Sequence, residues 1–275
     1  QMENFELRDR YLHEIEHLPQ KQQLSRHLLL AESALSRRDY PTAAQNLEAA
    51  AKINSNLSRL VRLQLRYAFD HGDAADVLAK AEKLVKAGAI NDYEAEQYQN
   101  WAYRRLLSEA TDAGSLKACL KHIPESLKSG ELCVAIAEKY ERLGLYAEAV
   151  KWVKTHYPQN RQPELLEAFV ESVRFLSERD QQKTIDLADS WLQEQPDNAL
   201  LLMYLGQLAY GRKLWGKAQG YLEASIALQP SVSAHLVLAR VFDETDQPQK
   251  AQEQRNLVLE SVAEEEHPAA LPQPN

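Results

Sequence analysis

A fixed spacing of small residues constrains this chain more than any other feature. In the stretch from Ala199 to Pro230, Gly206 and Ala218 stand twelve positions apart, set among Leu202, Leu205, Trp215, Leu222 and Ser225. The same two marks return thirty-three positions later as Leu238-Ala239 and Ala251, and the twelve-residue spacing occurs again at Ala31 and Ala43. Glycine or alanine lets two helix backbones close to about 8–10 Å, so each pair predicts two antiparallel helices, A and B, crossing within one hairpin. Pro230 has no N–H to donate and clashes with the preceding turn, so helix B ends before it. A unit of this size cannot bury its apolar face alone and must stack on its copies.

Taken in order, residues 1–20 carry Phe5, Leu7, Leu12, Ile15 and Leu18 among charges and read as a leading amphipathic helix broken at Pro19. The repeat region spans 21–262. Its second hairpin starts near Ser58, places Leu65 where the reference repeat has Gly206, and turns at His71-Gly72-Asp73. Residues 93–128 are less regular: Trp101-Ala102 marks one helix, Ser108 to Ser115 reads as an extended turn, and Pro124 ends the next helix early. The signature returns over 130–158 with Ala137, Gly144-Leu145-Tyr146 and Ala149. Residues 163–196 read as a helix pair split around Glu178 to Gln181 and closed by Pro196. The last residues, 263–275, are acidic and proline-bearing and are expected to be disordered. These marks fall in register with the 34-residue tetratricopeptide pattern. The predicted fold is all-α: a right-handed tetratricopeptide-type superhelix, or α-solenoid, of about six to seven helical hairpins with a concave groove lined by the A helices.

Composition narrows the function. A formal net charge of −8 argues against a general nucleic-acid surface. Cys119 and Cys133, the two cysteines, make no disulfide framework. No run reaches the roughly 18 apolar residues of a transmembrane helix. Phosphate-binding glycine loops, H-E-x-x-H and G-x-S-x-G are all absent from the sequence, so no catalytic residue is assigned and no enzyme is expected. Cys119 and His122, at i and i+3, share a helix face and could supply soft ligands; packed core and ordinary surface are the competing reading, as for His156 and His235. No metal and no resident cofactor is predicted.

A groove of this kind binds through the exposed face of each helix A. In the second hairpin that face offers Arg59, Arg62, Arg66 and Phe69; around 130–142 it offers Glu138 with Glu131, Val134 and Glu141; in the reference repeat, Met203, Gln207 and Tyr210. Read along the chain the groove runs from basic through acidic to apolar. Either it is a partner site graded along its length, or the charges are solvated faces and salt bridges between repeats.

Val61-Arg62-Leu63-Gln64-Leu65, with the C-terminal hairpins from Leu202-Met203-Tyr204-Leu205-Gly206-Gln207 through Leu238-Ala239 to Gln252-x-x-Arg255, resembles the HemY family of proteobacteria. The resemblance covers most of residues 28–262. It implies a protein anchored in the bacterial inner membrane by two N-terminal transmembrane helices, its repeat domain facing the cytoplasm and associated with late protohaem synthesis. Three readings follow: a non-enzymatic scaffold that gathers haem-synthesis enzymes, a direct haem carrier using Cys119, His122 or another histidine, and a general peptide adaptor in envelope assembly.

Overall fold

The computed structural model describes residues 20–266, and those residues form fourteen α-helices and no strand. The leading helix expected before Gln20 and the tail beyond Glu266 lie outside the described residues. In chain order the helices are α1 (Gln20–Ser36), α2 (Tyr40–Ile53), α3 (Ser58–His71), α4 (Ala74–Lys86), α5 (Asp92–Glu109), α6 (Ala113–His122), α7 (Gly130–Arg142), α8 (Tyr146–Asn160), α9 (Pro163–Val173), α10 (Glu178–Glu194), α11 (Ala199–Gly211), α12 (Trp215–Leu228), α13 (Val232–Glu244) and α14 (Pro248–Glu266). Odd-numbered helices are the A helices and even-numbered ones the B helices. Where the sequence suggested one repeat region, the chain divides into two compact units between Lys128 and Ser129. The physical break is local: α6 stops at His122, Pro124 follows, and a 3₁₀ turn spans Glu125–Leu127 before α7 begins.

The N-terminal unit holds three hairpins, α1/α2, α3/α4 and α5/α6, and the C-terminal unit four, from α7/α8 to α13/α14. Within each unit helix B packs on the next helix A, as α2 does on α3 and α12 on α13. Consecutive A helices also meet: α1 with α3, α7 with α9, α9 with α11 and α11 with α13. That is tetratricopeptide-type stacking. The crossing residues are buried at the predicted spacing. Ala31 and Ala43, Leu65 and Val77, Ala137 and Ala149, Gly206 and Ala218, and Ala239 and Ala251 are each twelve apart and shut off from solvent. Ser225 acts differently, through a hydrogen bond: its hydroxyl donates to the Ala199 carbonyl at 2.7 Å and ties the end of α12 to the start of α11.

Two expectations are corrected. The turn between α5 and α6 is only Ala110–Asp112, because Asp112 and Ser115 form a reciprocal capping box that puts Ser115 inside α6. What is long there is α5, at 18 residues. The split in 163–196 falls at Arg174–Ser177, and Glu178 to Gln181 are the first turn of α10, capped by the Ser177 hydroxyl. Ser172 and Thr184 keep the twelve-residue spacing and are fully buried, but α9 and α10 stand apart and large side chains, Phe169 and Trp191 among them, fill the space.

Five hairpin turns place one residue in the left-handed region two positions before helix B. Glycine does so at Gly72 (φ 76°) and Gly144 (φ 69°), but the others are Arg38, Lys213 and Asp246. A side chain there costs about 1–2 kcal/mol. Lys213→Gly is expected to stabilise the protein by up to about 1 kcal/mol, since the greater freedom of glycine in the unfolded chain offsets part of the relief. A thermal midpoint that stays level or falls would show that Lys213 makes a compensating contact.

Candidate functional site

In the N-terminal unit the predicted basic stripe lies on α3, and two of its arginines are committed to neighbouring A helices. Arg59 bonds Glu32 of α1 at 2.8 Å; Arg62 pairs with Glu94 of α5 at 3.4 Å and also donates to the Ala89 carbonyl. All four side chains are about half exposed, so each pair adds less than about 1 kcal/mol. Arg66 is exposed and makes no ion pair among the described residues. Phe69, 38% exposed, rests on Trp101 of α5 at 4.4 Å with Tyr98 edge-on at 6.0 Å. Arg59, Arg62 and Phe69 thus connect α3 to the hairpins on either side of it.

Cys119 and His122 share more than a helix face. Together with Leu78, Tyr103, Leu106 and Ala118 they line a largely apolar cavity of about 570 Å³. Burial pushes the Cys119 thiol up, which keeps it protonated near neutral pH. Tyr103 is spoken for, since its hydroxyl donates to the His122 carbonyl at 2.8 Å. The two other histidines named from the sequence have partners of their own: His156 stacks on Trp152 at 3.7 Å, and the His235 ring meets Gln254 at 2.7 Å. Cys133 is fully buried and its thiol is pushed up to about 11 by that burial. Among the described residues no group of three or more His, Cys, Asp or Glu could hold a metal ion, and no helix is long and apolar enough to cross a membrane.

In the C-terminal unit the A helices leave a different surface. Glu138, paired with Arg142 at 3.2 Å, lines a cavity of about 250 Å³ with Glu141, Glu164, Glu167 and Glu171. Burial, and after it the charges of Glu171, Glu138 and Glu167, push the Glu141 carboxyl above the usual carboxylate range. Burial followed by Glu167, Glu171 and Glu164 pushes the Tyr204 hydroxyl up to about 12. A raised carboxyl pKa means that the folded state holds its proton more tightly than the unfolded state. Stability therefore falls as pH rises from the ordinary value to the raised one, and stays lower above it. Glu141→Gln is expected to raise the thermal midpoint at neutral pH, with the gain vanishing below about pH 4. A gain that is the same at every pH would mean that the buried charge of Glu141 is not its cause.

Glu171 also borders a second cavity of about 420 Å³, which Gln207 and Tyr210 line. Met203 does not line it: at 6% exposure it is packed into the core with Val237 and Leu238, its sulfur 3.9 Å from the Ser231 hydroxyl. Its position faces the next hairpin, where an unbranched thioether fills irregular space. The far end of the face combines apolar side chains with three arginines, Arg174, Arg212 and Arg240, that border the cavity. Sequence reasoning missed all three. The signal was present for one of them: Arg240 follows Ala239 as Gln207 follows Gly206, one repeat apart.

Neither the family models nor the curated proteins match this chain. Solved structures do. A MamA RS-1 ArsTM double mutant is 16% identical, with 70% of this chain and 97% of that one covered and a TM-score of 0.40. A tetratricopeptide repeat protein from Parabacteroides merdae is 12% identical over 87% of this chain and 93% of its own, with a TM-score of 0.42. Human IFIT1, as a dimer with PPP-AAAA, is 18% identical over 93% and 71%, also at 0.42. The similarity is one of fold, and the repeat register of this chain rests on its own buried crossing pairs.

Proposed function

We propose that this chain is a non-enzymatic protein-interaction scaffold that receives an extended partner segment along the A-helix face of its C-terminal unit. The observation that carries this reading is the pair of cavities meeting at Glu171, lined by residues of α7, α9, α11 and α13 together with Gln181 and Ile185 of α10. A stack of hairpins offers a long, pre-formed surface of this kind, and binding there needs no rearrangement of the fold. A photo-crosslinking residue at Gln207 or Glu167 is expected to trap one defined partner in cells. The same residue at exposed Lys217 on α12 is expected to trap none. Identical crosslinking patterns from both faces would remove the proposal.

The narrower form of this proposal places the scaffold in late protohaem synthesis, as the cytoplasm-facing repeat domain of an inner-membrane HemY-like protein. Its support is the resemblance at Val61 to Leu65 and across the C-terminal hairpins. Full-length protein from solubilised membranes is expected to retrieve tetrapyrrole enzymes, and a retrieval free of them would leave only the broader scaffold. A second reading, direct haem carriage, is favoured by one observation: Cys119 and His122 border the same apolar cavity of about 570 Å³. Haemin titrated into the purified protein would then give a saturable Soret shift that is lost in His122→Ala or Cys119→Ala. A shift of equal size in both variants would sink it.

A further inference from the structure

The cavity bordered by Gln207 and Tyr210 has a chemistry of its own. Three guanidiniums from three elements converge on it: Arg174 just after α9, Arg212 just after α11, and Arg240 in α13. Against them stands one lining carboxylate, Glu171, which Arg174 holds at 2.9 Å. Arg240 is exposed and makes no ion pair among the described residues. Arg212 has only a loose contact at 3.6 Å with Glu178, whose side chain is 88% exposed. The Nε–H of Arg212 is cut off from solvent and has no acceptor, although the side chain as a whole keeps 24% of its exposure. A buried donor of this kind is normally satisfied. The floor between the charges is apolar, formed by Val173, Ile185, Leu208 and Val237.

We infer that this cavity is a receptor for the side-chain carboxylate of an acidic, aliphatic-flanked segment in the partner. This rests on the scaffold reading above and specifies its chemistry. Arg240 and Arg212 supply the counter-charge through the terminal N–H groups of their guanidiniums, while the apolar floor takes a neighbouring aliphatic side chain. Guanidinium suits a carboxylate because its planar fork meets the two oxygens with parallel hydrogen bonds. Glu178 acts as a stand-in: its exposed carboxylate shields Arg212 until the partner displaces it. The retained Glu171 disfavours a dianionic phosphate, since it occupies Arg174 and the second negative charge would sit beside a carboxylate.

The probe is a fluorescein-labelled, C-terminally amidated octapeptide of alternating Asp and Leu, titrated into the whole chain and followed by fluorescence polarisation. It is expected to bind, to weaken as salt is raised, and to lose roughly tenfold in affinity with Arg240→Gln or Arg212→Gln. Glu178→Gln is expected to tighten binding, a gain that a merely structural Arg212 would not produce. Arg240 is exposed, so Arg240→Gln with an unchanged melting curve separates binding from folding. Comparison peptides carry Asn for Asp, phosphoserine for Asp, or Asn with a free C-terminus. No binding of the Asp peptide, equal binding of the Asn peptide, or variants that bind like the parent would overturn the inference. Tighter binding of the phosphoserine or free-terminus peptide would overturn the carboxylate side chain as its occupant. If the Asp peptide fails while the Gln207 crosslink persists, the scaffold reading stands and only this inference falls.

Discussion

Trp191→Ala is expected to destabilise the C-terminal unit by about 3–5 kcal/mol, the usual cost of emptying a large aromatic site. The reason lies in how the α9/α10 hairpin closes. In hairpins such as α1/α2, α7/α8, α11/α12 and α13/α14 small residues let helices A and B approach, but α9 and α10 stand apart and rings occupy the gap. Trp191 is 5% exposed and sits 4.7 Å from the Tyr157 ring of α8 and 5.3 Å from the Phe169 ring of α9. One side chain thus joins three helices, and no small neighbour can move in to fill its place. Trp191→Phe keeps an aromatic there and is expected to cost clearly less. Phe175→Ala supplies the contrast: although Phe175 stacks on Tyr146 at 4.0 Å, it is 63% exposed, and its loss should shift the urea midpoint only slightly. If Trp191→Ala and Phe175→Ala have equal midpoints, the ring cluster is not what closes this hairpin.

That contrast shows where the sequence was readable. Hairpins that close through alanine or glycine announce themselves, because the constraint falls on single residue types at fixed spacing: Ala31 and Ala43, Ala137 and Ala149, Ala239 and Ala251. The α9/α10 hairpin closes through volume, which many combinations of side chains can supply, and its Ser172 and Thr184 pass for surface residues although both are buried. Turn chemistry was half legible for a similar reason. Gly72 and Gly144 advertise a left-handed turn, whereas Arg38, Lys213 and Asp246 adopt the same backbone without any compositional sign. The site was harder still. Gln207 and Tyr210 follow from repeat register, but Arg174 and Arg212 enter from the ends of α9 and α11, where register no longer fixes direction. Met203 went wrong because the next hairpin covers its face, and coverage is set by stacking rather than by spacing. On α3 the spacing correctly put Arg59 and Arg62 on one face, while their partners, Glu32 and Glu94, come from other hairpins.

Gly206→Leu is expected to cost about 1–3 kcal/mol or more, as does Ala218→Phe, because each overpacks a closed helix crossing. At Gly206 the obstacle can be named. A Cβ added there would lie 2.6 Å from Cγ and 2.8 Å from Cδ2 of Leu222, distances that real Cβ atoms do not adopt. Leu222 is itself fully buried at the centre of α12, so it cannot swing into solvent to make room. Even Gly206→Ala meets this contact, which works against the gain of about 1 kcal/mol that alanine brings over glycine within a helix. At Gly220, where an added Cβ meets nothing within 4 Å, the alanine gain should appear undiminished. The two alanine variants therefore separate helix propensity from steric crowding in one helical hairpin. A third variant identifies the crowding atom: Leu222→Ala should cost less in a Gly206→Leu background than alone, since the new leucine side chain then occupies the space that Leu222 leaves. Strict additivity in that cycle would mean that Gly206 meets some other neighbour, and the crossing would need another account. Non-additivity with a favourable coupling would tie the stability of the C-terminal unit to this one contact between α11 and α12.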